Sequence, residues 1–211
     1  MTSRLKLAAL AGFAAVALTP AVGLAHFILQ APASAIVENQ LGDPQKAAPC
    51  GIAEGVASTP SGAVTPAVGG SMLHIKVQET VYHPGHYRIA LAVLDRAELP
   101  VDPEATTRDT ERGPRSVSGK IDPSPKAPVL VDGLWVHREK PAAGTPLIHE
   151  TDVKLPNINC DTCTLQVIQF MEDHGLNKMG DYSYHHCATL KITANPKLKL
   201  DAAWPGQARR R

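Results

Sequence analysis

The chain has 211 residues, with 21 basic and 20 acidic side chains, a formal charge of +1, 18 prolines and 16 glycines. That length suits one domain with at most a tail. The balanced charge excludes the concentrated basic face that phosphate binding requires, so nucleic acid is not an expected partner, and the proline and glycine content favours short strands and long connections over helices.

Residues 1–25, "MTSRLKLAALAGFAAVALTPAVGLA", carry Arg4 and Lys6, an apolar run from Leu7 to Leu18, a break at Pro20, and small residues Gly23 and Ala25 at the recognition positions. This pattern predicts a secretory signal peptide cleaved after Ala25. A membrane anchor is disfavoured, because the apolar run falls short of the roughly 20 residues that span a bilayer. The mature protein is then secreted or periplasmic, has no membrane partner after cleavage, and starts at His26.

From His26 to Gly70 the composition is rich in Ala, Pro and Gly and predicts irregular or short-stranded structure. "SMLHIKVQETV" follows, in which Leu73, Ile75 and Val77 alternate with His74, Lys76 and Gln78 at the period of a half-buried strand. After a turn at "HPGH", "YRIALAVLD" places Ile89, Leu91 and Val93 on one face of a second strand. Residues 95 to 128, dominated by charge and proline, predict a long surface excursion, since so little apolar area does not offset the entropy of ordering the chain. "VLVDGLWVH", "CTLQVIQFMEDH" and "YSYHHCATLKITA" supply three further strands, and residues 196–211 read as a flexible tail. The expected fold is all-β, an immunoglobulin-like or fibronectin III-like antiparallel β-sandwich with long loops over residues 26–195.

Cys50, Cys160, Cys163 and Cys187 are the four cysteines, an even number that in an oxidising compartment predicts two disulfides with three possible connectivities. The "CDTC" spacing does not read as a thioredoxin-type pair, because the strand-like "TLQVIQF" follows where a helix would be needed. Nor does it read as zinc, for want of a second Cys-x-x-Cys.

Nine histidines are many for such a domain, and several are clustered: His83 and His86 in "YHPGHYRIAL", and His185 and His186 in "YSYHHCATL", besides His26. A mature N-terminal histidine has a free α-amine and an imidazole on one residue, which together close a chelate ring on one metal ion. The amine's reference pKa near 8 means that metal competes with a proton there. One further imidazole gives three nitrogens in a T shape, an arrangement that suits Cu(II) better than tetrahedral zinc.

These residues resemble the lytic polysaccharide monooxygenases and related histidine-brace copper proteins. In that family signal cleavage exposes the first copper ligand, which maps onto His26. "HPGHYRIAL" is similar to the segment supplying the second imidazole, which maps onto His83, with His86 as the rival. "YSYHHCATLKI" is similar to the family's last core strand, whose aromatic residue at the axial position maps onto Tyr184. Strand parity puts Tyr182, Tyr184 and His186 on one face and Ser183, His185 and Cys187 on the other. His186, and less specifically His185, Gln169 and Glu172, are candidates for the polar residue beside the metal.

The resemblance implies one copper ion per chain, a Cys50–Cys187 disulfide with Cys160–Cys163 remaining, and a monomer. It also implies copper-dependent monooxygenase activity that cleaves a polysaccharide with an external electron donor. Copper carriage by the same brace, without catalysis, is the alternative. Aromatic content of only 4% favours carriage, because sugar-binding faces are built on flat rings.

Overall fold

The computed structural model describes residues 26–207; the signal-peptide reading of residues 1–25 lies outside the described residues. The order of elements is β1 (His26–Ala31), β2 (Thr65–Val68), β3 (Met72–Val81), β4 (Gly85–Ala92), a 3-10 turn (Arg96–Glu98), β5 (Ala105–Arg108), β6 (Arg115–Gly119), β7 (Val129–His137), β8 (Leu147–Lys154), β9 (Cys160–Met171) and β10 (Ser183–Thr193). A three-stranded sheet, β1-β3-β8, faces a five-stranded sheet, β2-β10-β9-β4-β7, and β5-β6 forms a separate hairpin. The fold is an all-β sandwich. All strand pairs are antiparallel except β2, which runs parallel to β10.

Period-two alternation explains the core. From the small sheet come Phe27, Leu29, Leu73, Ile75, Val77 and Val153; they meet Tyr87, Ile89 and Leu91 of β4, Leu165 and Val167 of β9, and Tyr184, Ala188, Leu190 and Ile192 of β10. Phe27 is wholly buried against Tyr87 and His186. Burying such a side chain contributes about 1.5–3 kcal/mol, enough to hold the first strand down directly behind its first residue. β8, with its inner face carrying His149 and Thr151 between Leu147 and Val153, escapes the sequence reading.

Two expectations change. Residues 95 to 128 are an excursion, but an anchored one that covers the outer face of the large sheet. Arg88 Nη2 donates to the Val101 carbonyl at 2.8 Å, His185 Nε2 lies 2.8 Å from Asp102, and Ser116 Oγ donates to the Met171 carbonyl at 2.7 Å. Polar and ionic pairing with the sheet, rather than apolar area, orders this segment. The stretch after residue 195 is likewise held as far as residue 207. Asn157 Nδ2 donates to the carbonyls of Asn195, Leu198 and Lys199, Asp201 accepts from the Asn157 amide at 2.7 Å, and Trp204 packs on the core.

The start of β1 is clamped by the turn at 39–45. Asn39 Oδ1 accepts from the amides of Leu41 and Asp43, Thr80 Oγ1 donates to the Leu41 carbonyl, and Gln45 Oε1 accepts from the Phe27 amide at 3.0 Å. Gly42, at φ +99°, lies so close to β1 that a Cβ there would stand 1.9 Å from the Phe27 carbonyl oxygen. Gly42→Ala is therefore expected to lower unfolding free energy by about 2–4 kcal/mol, combining left-handed strain with displacement of β1. Gly144→Ala, at φ +83° with open space around it, should cost only about 1 kcal/mol. Urea titration of both variants separates clash from strain.

Candidate metal centre

β1 lays His26 beside Tyr184 of β10, with ring centroids 5.6 Å apart. Tyr184 in turn meets His174 at 5.9 Å, and His174 meets His83 at 5.0 Å. The structure thus links His26, His83 and Tyr184, three of the residues singled out from sequence, in one continuous run of ring contacts. His174 is the link that the sequence did not disclose. It lies just beyond β9 and is held by residue 116 of the excursion: Ser116 Oγ accepts from the His174 amide at 3.0 Å, and the Ser116 amide donates to the His174 carbonyl.

The hydrogen bonds set tautomers. His26 Nε2 is 3.1 Å from Asp43 Oδ2. A carboxylate only accepts, so the bond places the proton on Nε2 and the lone pair on Nδ1, the ring nitrogen that closes a six-membered chelate with a terminal amine. His174 Nδ1 donates to the Gly175 carbonyl at 2.6 Å, which puts its lone pair on Nε2. Burial, with the neighbouring His174, pushes His83 down to about 4, and burial also lowers His174. Both rings are therefore neutral at neutral pH, the form that binds metal. Tyr184 is pushed up to about 12 by burial and by the Asp43 carboxylate, and stays a phenol.

Buried polar atoms without partners occur here. His83 Nδ1 is one, and both side-chain amide atoms of Gln169 are others. Gln169 stands between Tyr184 and Tyr87 in the cross-strand register, on the same inward face of the large sheet. An unpaired buried group costs about 1–3 kcal/mol, and such groups cluster where a site has work other than stability.

Other sequence candidates fall elsewhere. His86 is on the opposite face of β4, stacked on Phe170 at 5.2 Å with Nε2 4.0 Å from Asp132. Its position three residues after His83, one strand face away, removes it from the His26–Tyr184 group. His186 does share the Tyr184 face, but it anchors β1: Nε2 donates to the Phe27 carbonyl at 2.9 Å and Nδ1 lies 2.8 Å from Glu38. His185 faces the excursion, and Glu172 is engaged by Arg138 through two hydrogen bonds. The disulfides are Cys50–Cys187 and Cys160–Cys163, the pairing that the resemblance implies.

A second cluster, which the sequence reading does not disclose, joins Glu79, His137 and His149, each offering one ligand atom within 4.8 Å of the others. Burial draws the Glu79 carboxyl upward, but hydrogen bonds from His137 and His149 outweigh it and hold the group below its usual range. A signal was present: Leu73, Ile75 and Val77 define the inward row of β3, and Glu79 is the next residue on it. Among the described residues no helix is long and apolar enough to cross a membrane. The chain matches no family model and no curated protein.

Proposed function

We propose that the mature chain, exported and starting at His26, holds one copper ion in a histidine brace and acts as a monooxygenase of the polysaccharide-cleaving type. One observation carries this reading: His26, its Nε2 held by Asp43, lies against Tyr184 at one end of a run of ring contacts that continues through His174 to His83. The terminal amine and Nδ1 of His26 would hold the metal together with His83, and a donor set of three nitrogens suits Cu(II). When bound, copper would supply oxidative hydroxylation of a C–H bond, with dioxygen or peroxide as oxygen source and oxidant and an external donor providing the electrons; at a glycosidic carbon that hydroxylation breaks the sugar chain.

The chain's own residues do the rest. Asp43 orients the His26 ring, Tyr184 limits approach along one side, and the Gln169 amide has hydrogen-bonding capacity to orient a polar guest. The two disulfides accord with an oxidising compartment.

A second reading, copper carriage without turnover, is favoured by the placement of the rings. Phe27, Tyr87, Phe170, Tyr182 and Tyr184 are buried, and Tyr82, Trp135 and Trp204 are half-buried. The described aromatics thus serve the interior rather than a flat sugar-binding face.

Electron paramagnetic resonance on the Cu(II)-loaded mature protein tests the shared centre. His83→Ala should remove one nitrogen from the hyperfine pattern, and His86→Ala should leave it unchanged. An unaltered pattern in His83→Ala overturns the brace. Incubation with reductant and a panel including chitin and cellulose then separates the readings: oxidised oligosaccharides in the mass spectrum support the monooxygenase, whereas tight copper without product selects carriage.

A further inference from the structure

β3 turns a carboxylate into the interior. Its inward row runs Leu73, Ile75, Val77 and then Glu79, whose side chain is wholly shielded from solvent. Burying an ionised carboxylate is costly unless it is fully paired. Here one oxygen receives everything: Glu79 Oε1 is 3.0 Å from His137 Nε2, 3.2 Å from His149 Nε2 and 3.0 Å from the Tyr87 hydroxyl. The other oxygen, Oε2, is buried with no partner.

Three separate elements converge on this point. Glu79 comes from the middle strand of the small sheet, His149 from its edge strand β8, and His137 from the end of β7, the edge of the large sheet. The cluster therefore sits where the two sheets' edges approach. His137 Nδ1 is tied as in metal-bound histidines, 2.6 Å from the Trp135 carbonyl, while Nε2 stands 3.0 Å from Glu79 Oε1 and 2.7 Å from the His83 carbonyl and would give up its proton to a cation. The His149 ring is fixed by stacking on the Trp135 indole at 5.5 Å. Both histidine side chains keep a little exposure, 15% and 18%, so the site has an entry from solvent.

We propose that Glu79, His137 and His149 form a second metal site for a divalent cation of the zinc class, separate from the His26 centre. Two imidazoles and one carboxylate form a donor set that zinc accepts with a fourth position open, whereas calcium and magnesium call for oxygen alone. In tetrahedral zinc at about 2.0–2.1 Å from its ligands, neighbouring donors stand about 3.3 Å apart, close to the 3.0 and 3.2 Å observed between Glu79 Oε1 and the two histidines. A cation there would engage the carboxylate that three donors now crowd on one side, and would pin β8 of one sheet to β7 of the other. The hydrogen bond of His137 Nε2 to the main-chain carbonyl of His83 is one that a cation on Nε2 would replace. The inference does not rest on the copper reading.

The test uses the chain from His26 onward with Co(II) and Zn(II) as probes, in a His83→Ala background that disables the other centre. One Co(II) per chain with tetrahedral absorption bands, displaced by Zn(II), is the expected result. Adding Glu79→Gln or His149→Ala should weaken binding by about 100-fold or more, beyond the 10–100-fold typical of losing an outer partner. Near-UV circular dichroism shows that each variant is folded, and His149→Ala on an edge strand guards against failure of Glu79→Gln to fold. If His83→Ala abolishes all binding, or if Co(II) binds that background and ignores Glu79→Gln and His149→Ala, the second site is overturned. In either case the electron paramagnetic resonance of the copper centre in unsubstituted protein is unaffected, so the two proposals fail separately.

Discussion

One alanine placed ahead of His26 is expected to weaken Cu(II) binding by roughly 100- to 10,000-fold, the range by which tethering a second donor raises overall affinity. The extension converts the His26 amine into a peptide nitrogen, whose lone pair is delocalised into the carbonyl and reaches a metal only after the N–H proton is removed. The imidazole is untouched, and Asp43 still holds Nε2 and leaves the lone pair on Nδ1. What is lost is the chelate alone. Apo stability should hardly move, because β1 is kept in place by its pairing with β3 from His26↔Val81 onward and by buried Phe27. Competition with a chelator of known affinity measures the binding, and thermal unfolding measures the fold. Equal affinities for the extended and unextended chains would remove the terminal amine from the site, and with it the brace.

The strands that carry that site were legible wherever alternation was clean. β3 and β4 lie where the apolar period placed them, and β10 puts Tyr184 and His186 on one face, as strand parity requires. β8 was not legible, since an edge strand whose inward face carries His149 and Thr151 loses the contrast between faces on which the period depends. His174 was hidden for a different reason. Its position depends on Ser116, 58 residues away in a segment whose polarity argued against order. Ion pairs and backbone bonds such as His185 to Asp102 and Arg88 to Val101 leave no periodic trace, so a segment ordered by them reads as loop. Glu79 is the instructive miss: the alternation that identified the β3 core face, carried one step further, puts a carboxylate inside the protein.

Removing the Cys50–Cys187 bond should be the most destabilising change of its kind available in this chain. It closes a loop with a sequence separation of 137, for which chain entropy gives about 5 kcal/mol of stabilisation, near the top of the 2–5 kcal/mol usual for native disulfides. The Cys160–Cys163 bond, with a separation of 3, should contribute only about 1–2 kcal/mol by the same relation. Paired Cys→Ala variants compared in urea therefore test whether loop length governs the difference; equal losses would mean that local packing dominates. The longer bond has a second consequence. It fixes residues 45–51 along β10, where the His185 amide donates to the Gln45 carbonyl at 2.8 Å and Gln166 Nε2 donates to the Pro49 carbonyl at 2.9 Å. Gln45 grips the Phe27 amide, and its neighbour Asp43 orients the His26 ring. Loss of the Cys50–Cys187 bond should therefore loosen the first strand before the rest of the sandwich, so that Cu(II) affinity falls at urea concentrations where the core is still folded, while loss of Cys160–Cys163 leaves affinity and unfolding coincident.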